Sequence, residues 1–85
     1  MAYHVELSEQ AQVDIEGAYE RIRADAPAAA LLWRRGVQQK INSLDTFPLG
    51  YGLAYEDRYV PDDLRQTFYG PYRILYVVRG EIVYV

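Results

Sequence analysis

Residues 64–85 read Leu64-Arg-Gln-Thr-Phe-Tyr69, Gly70-Pro71, Tyr72-Arg-Ile-Leu-Tyr-Val-Val78, Arg79-Gly80 and Glu81-Ile-Val-Tyr-Val85. Three runs rich in β-branched and aromatic residues are separated by two glycine-containing turns. The spacing predicts strands over 64–69, 72–78 and 81–85, with Gly70-Pro71 and Arg79-Gly80 as tight turns. Consecutive strands joined this closely form an antiparallel meander. Alternation along the central run puts Tyr72, Ile74, Tyr76 and Val78 on one face and Arg73, Leu75, Val77 and Arg79 on the other. The first set has no charge, so it is assigned to the core. On the preceding run Leu64 and Phe68 are the apolar positions. They are assigned to the core, leaving Arg65, Thr67 and Tyr69 on the open face beside Arg73.

The sequence upstream supplies the layer that covers this ribbon. Residues 2–7 alternate, with Tyr3, Val5 and Leu7 against His4 and Glu6, as a half-buried strand does. Ser8 is placed to cap a helix, and Glu9 sits in its first turn. Ala11, Ile15, Ala18 and Ile22 then form an amphipathic stripe. Gly17 weakens that helix by about 1 kcal/mol relative to alanine. Pro27 closes it or opens the next. Ala30, Trp33, Val37, Ile41 and Leu44 make a second stripe, which stops at Phe47-Pro48. The order is β-α-α-β-β-β, an α+β fold with a helical hairpin on one face of an antiparallel sheet. Residues 48–63 hold Pro48, Gly50, Gly52, Pro61 and Asp62-Asp63 with little periodicity, a long connection of the functional or mobile kind.

Composition narrows the function. The 85 residues carry nine basic and twelve acidic groups, a net charge of −3, shared by both halves of the chain. That balance does not point to nucleic acid or an anionic membrane. No run is long and apolar enough to span a bilayer, and the first ten residues lack the basic start of a signal peptide, so a cytoplasmic domain is expected. Without cysteine and with one histidine, thiolate metal sites and cysteine nucleophiles are excluded, and neither metal nor cofactor is expected. No phosphate-loop, dinucleotide or nucleophile-elbow motif occurs. His4 reads as a single outward imidazole, Trp33 as an interhelix or interface anchor, and Asp62-Asp63 as a turn feature. The open-face arginines read either as solvated side chains paired with Glu81 or Asp62, or as phosphate ligands.

Ser8-Glu-Gln-Ala11, Phe47-Pro-Leu-Gly50, Leu64-Arg65-Gln66 and Gly70-Pro-Tyr-Arg-Ile-Leu-Tyr76 together resemble the RelE/ParE family of type II toxin–antitoxin toxins, the plasmid-stabilisation proteins. The likeness covers nearly the whole of residues 1–85 as one toxin domain, and is closer to the ParE branch. It implies a toxin neutralised by a cognate antitoxin. ParE-like members inhibit DNA gyrase and are not enzymes. RelE-like members are metal-independent endoribonucleases that cut mRNA on the ribosome. In that branch Arg73 matches the central-strand arginine and Arg65 falls near the basic position of the strand before it. Tyr69 and Arg79 would be binding residues. The nuclease branch carries further catalytic residues after the last strand, and residues 1–85 stop before that tail. An acidic chain also meets long-range repulsion in an RNA-lined site. A third reading is an inactive family member that only binds a partner, and a homodimer is a further possibility.

Overall fold

A computed structural model describes residues 3–59 and 61–85. Ala2, which the alternation places at the start of the first strand, lies outside the described residues. The elements are β1 (His4–Glu6), α1 (Glu9–Asp25), α2 (Pro27–Asn42), β2 (Leu64–Tyr69), β3 (Tyr72–Arg79) and β4 (Ile82–Tyr84). Single 3-10 turns at Ser43–Asp45, Pro48–Gly50 and Tyr55–Tyr59 occupy the long connection between α2 and β2.

The helix ends follow their local chemistry. The Ser8 hydroxyl accepts the Ala11 N–H at 3.0 Å, so the cap holds as expected. Pro27 opens α2 rather than closing α1, in a position where its missing N–H costs nothing. The two helices lie against one another, with Arg34 paired to Glu16 and stacked 4.9 Å above the Tyr19 ring. After α2 the chain turns at Phe47, which adopts φ 55, a left-handed conformation uncommon for a side chain of this size.

The sheet runs in the order β1-β4-β3-β2. β2, β3 and β4 form the antiparallel meander, while β1 adds to β4 in parallel, His4 to Glu6 against Ile82 to Tyr84. The sheet is therefore mixed rather than wholly antiparallel. The second hairpin turns at Gly80-Glu81, one residue later than the sequence suggests, because Arg79 pairs with Ile82. Gly80 still supplies the positive φ, at 59°.

The core sits between the helices and one face of the sheet. One cluster joins Val37 and Ile41 of α2 to Ile74. A second joins Leu44, Tyr76 and Val83, with Val5 packed against it. The assignment of Ile74 and Tyr76 to the core therefore holds. The buried Tyr76 hydroxyl donates to the Pro48 carbonyl, tying the long connection to the sheet.

β2 is the element that differs. Tyr69 pairs with Tyr72, Thr67 with Ile74 and Arg65 with Tyr76. Directly opposed residues share a face, so Arg65, Thr67 and Tyr69 point toward the helices. Thr67 is buried, whereas Phe68, expected in the core, is 53% exposed. Tyr69 fits only because Gly36 of α2 has no side chain: a Cβ there would stand 1.8 Å from the Tyr69 hydroxyl.

Two predictions follow from this packing. Gly36→Ala should destabilise the fold by about 1–2 kcal/mol in urea titrations, because overpacking outweighs the helix-propensity gain of about 1 kcal/mol. In a Tyr69→Leu background the same change should become neutral or stabilising. Burial raises the Tyr76 phenol to about 12. Its folded value lies above the unfolded one, so its contribution is complete below pH 10 and disappears as the pH rises through 12. Unfolding free energies should therefore fall by roughly 2 kcal/mol across that window, and Tyr76→Phe should flatten the decline.

Candidate functional site

The face of the sheet away from the helices is the candidate site. Register places Leu64, Gln66 and Phe68 of β2 on it, with Arg73, Leu75, Val77 and Arg79 of β3. Ile82 and Tyr84 of β4 and His4 and Glu6 of β1 complete it. Leu64, Leu75, Val77, Ile82 and Tyr84 are half-buried and Phe68 is exposed, so the centre is a mainly apolar surface. Charge is confined to its margins.

The connection between α2 and β2 borders this face. Ala54 N–H donates to the Leu64 carbonyl at 2.7 Å, and Gln66 N–H to the Gly52 carbonyl at 3.1 Å. These bonds, with a bridge between Leu53 and Arg65, cover the outer edge of β2. The 3-10 turn that follows brings an Asp57 carboxylate oxygen to the Leu64 N–H at 2.7 Å. Glu56 of the same turn forms a two-pronged ion pair with Arg73, whose guanidinium also donates to the Gln66 side chain at 3.3 Å. Asp62 pairs with Arg79, which also lies 5.8 Å from the centre of the Tyr84 ring. The Arg73 hydrogen bond holds the Glu56 carboxyl below the usual carboxylate range, and the Asp62 hydrogen bond raises the Arg79 guanidinium. Both pairs are largely solvated, so they contribute little to stability. Their main effect is to offset both positive charges on this face.

The structure separates the residues proposed from sequence. Arg73 and Arg79 do lie on the open face, and the Asp62 partner of Arg79 is one the sequence offered. Arg65 and Tyr69 do not. Tyr69 stands under α2 against Gly36. Arg65 is half-buried on the helix side, donating to the Tyr51 carbonyl at 2.7 Å, with its Nε buried and without an acceptor. The reason is the two-residue turn at Gly70-Pro71, which fixes the parity of β2 from that of β3. Reading β2 by its own hydrophobicity assigns the opposite face. Arg65 and Arg73 therefore leave the sheet on opposite sides and cannot hold one phosphate between them.

Glu56 and Phe68 belong to the site and are missed by sequence reasoning. The hairpin parity would have placed Phe68 on the open face. No periodicity in residues 48–63 marks Glu56. Among the described residues no three histidine or carboxylate groups converge as a metal site, and no helix is long and apolar enough to cross a membrane.

The family described as the ParE toxin of the type II toxin–antitoxin system parDE matches residues 5–85. A chain of the chromosomal ParDE toxin–antitoxin system from P. aeruginosa superposes with a TM-score of 0.80 at 16% identity, over 99% of this chain and 90% of that one. No curated protein sequence matches significantly. At that identity the structural likeness establishes the fold, and the family match extends from β1 through Val85. The chain belongs to the ParE toxin family of type II toxin–antitoxin systems.

Proposed function

We propose that this protein is the toxin of a ParDE-type pair, acting in the cytoplasm by protein–protein contact to inhibit DNA gyrase and neutralised by a cognate antitoxin. The observation that carries this reading is the open sheet face. Its two arginines are engaged by Glu56 and Asp62, and the surface between them is apolar and aromatic. Such a face suits a protein partner, where apolar contact drives binding and charged margins set orientation. Phosphate transfer would instead need unpaired cations converging on one oxygen cluster. The acidic balance of the chain supports the same choice, since it opposes approach to RNA. A protein-contact inhibitor needs no metal or cofactor. A ParDE system pairs its toxin with an antitoxin, and by that likeness this chain has one too.

The endoribonuclease reading keeps one supporting observation, the exposed Arg73 on the central strand. It loses the two-arginine clamp, because Arg65 faces the helices. The inactive-member reading is separated from both by expression without antitoxin, where it alone expects normal growth.

Purified protein should block gyrase supercoiling at a modest molar excess. Leu75→Glu, which puts a carboxylate in the middle of the apolar face, should weaken that block tenfold or more while circular dichroism stays native. Arg73→Ala should reduce it far less. Unchanged supercoiling at high excess would refute the proposal. Ribosomal A-site cuts in toeprints that vanish with Arg73→Ala would install the nuclease reading instead.

A further inference from the structure

α2 buries one face and leaves the opposite one bare. Ala30, Val37 and Ile41 are buried, with Trp33 packed beside them against Ile74 of the sheet. Ala28, Leu31, Leu32 and Arg35 recur at the spacing of a single helical face on the other side, and all four are exposed. Leu31 and Leu32 are 59% and 67% exposed. With the small residues Ala28 and Ala29 before them, they form an apolar patch at the closed end of the helical hairpin.

The charges beside this patch are also unused. Arg34 is held by Glu16 and Arg23 by Glu20, but Asp25 and Arg35 take part in no ion pair among the described residues. They lie at opposite ends of the patch, Asp25 in the last turn of α1 and Arg35 beyond Leu32 on α2. The helix from Pro27 to Arg35, about 12 Å long, keeps the two apart within one copy. The surface is thus negative at one end, positive at the other and apolar between. Turned end for end, it complements itself. Setting Leu32 of each copy over Ala28 of the other also sets Arg35 of each beside Asp25 of the other. Both pairings are centred on the same residue, Ala30, so one two-fold axis across the outer side of α2 satisfies size and charge together.

We propose that this face of α2 is a self-association surface, through which two copies of the chain pair by antiparallel α2 helices about a two-fold axis over Ala30. Leu32 of each copy packs on Ala28 of the other, whose single methyl group lets the helices approach closely, and Leu31 closes the flank. Arg35 of each meets Asp25 of the other at both ends. That contact fixes the antiparallel direction, since a parallel pairing would set Arg35 against Arg35. A lipid surface would also accept exposed leucines and nearby arginines, but an anionic one would repel Asp25 and make no use of the matched spacing. The face is small and each copy carries a net charge of −3, so the pair is weak and forms as concentration rises. Because α2 turns its other face to the sheet, pairing leaves both open sheet faces outermost and free. The proposal does not rest on the gyrase reading, which concerns only those faces.

The test is sedimentation equilibrium of the full chain from micromolar to millimolar concentration. The average mass should climb from that of one chain toward that of two. Leu32→Glu, at an exposed position, should weaken association tenfold or more while circular dichroism stays native. Asp25→Arg and Arg35→Asp should each do the same singly, by bringing like charges together at both ends of the interface. Combined in one chain, they should restore association to within about threefold of the unsubstituted protein, because the charges are exchanged and not lost. A double variant no stronger than either single one would overturn the pairing, as would a chain that stays single at millimolar concentration. So would a dimer indifferent to Leu32→Glu but abolished by Leu75→Glu, which would place the contact on the open sheet face. Co-sedimentation with phosphatidylglycerol vesicles, lost on Leu32→Glu in a chain that otherwise stays single, would assign the face to a lipid surface and end the proposal.

Discussion

The constraint on which the site depends is the two-residue turn at Gly70-Pro71. It holds Tyr69 directly across from Tyr72, and every residue of β2 inherits its face from that pairing. A register slip of one residue would reverse the whole strand. It would expel Thr67 and Tyr69 from beneath α2 and send Phe68 into the core. Gly70 makes the turn possible with φ 57, a conformation that a side chain would strain. Gly36 then protects the result from the other layer, leaving space for the Tyr69 ring. Two glycines far apart in sequence thus define which chemistry each side of the sheet presents.

What the sheet presents outward is mostly apolar surface with paired charge at its margins. The polar groups it hides are arranged differently. On the helix side, Arg65 reaches the Tyr51 carbonyl, Lys40 donates to the Tyr51 hydroxyl at 3.3 Å, and Tyr76 donates to Pro48. These bonds anchor the connection between α2 and β2 from below, while Glu56 and Asp62 fasten it from above. A segment with little sequence pattern is thereby held on both faces of the sheet it borders. Arg65 is a structural residue in this arrangement, despite its place in a strand whose neighbour carries the exposed Arg73.

Much of the fold was legible from the chain. The alternation of β1, the Ser8 cap, both helical stripes and the core face of β3 follow from periodicity and local propensity, and the structure agrees with each. The parallel addition of β1 to β4 was not legible, because nothing local distinguishes a strand that pairs with its neighbour from one that pairs with the far end. The site was half legible. Arg73 and Arg79 could be placed from β3 alone, since its two faces differ in charge. β2 misled because both its faces mix polar and apolar residues: Thr67 is buried by pairing and Phe68 exposed by it. Hydrophobicity decides a face only when the two sets differ clearly. Otherwise the turn decides. Glu56 was out of reach because its role depends on where an irregular segment crosses the sheet.

The parallel pairing of β1 with β4 has a consequence for how the protein is made. Val5 leaves the ribosome long before Val83, yet the two stand side by side in the finished sheet. The helical hairpin between them is built from local contacts and can form early. The first strand must wait, unpaired, until both helices and the three later strands have emerged. Any product terminated before residue 82 lacks the strand that joins β1 to the meander.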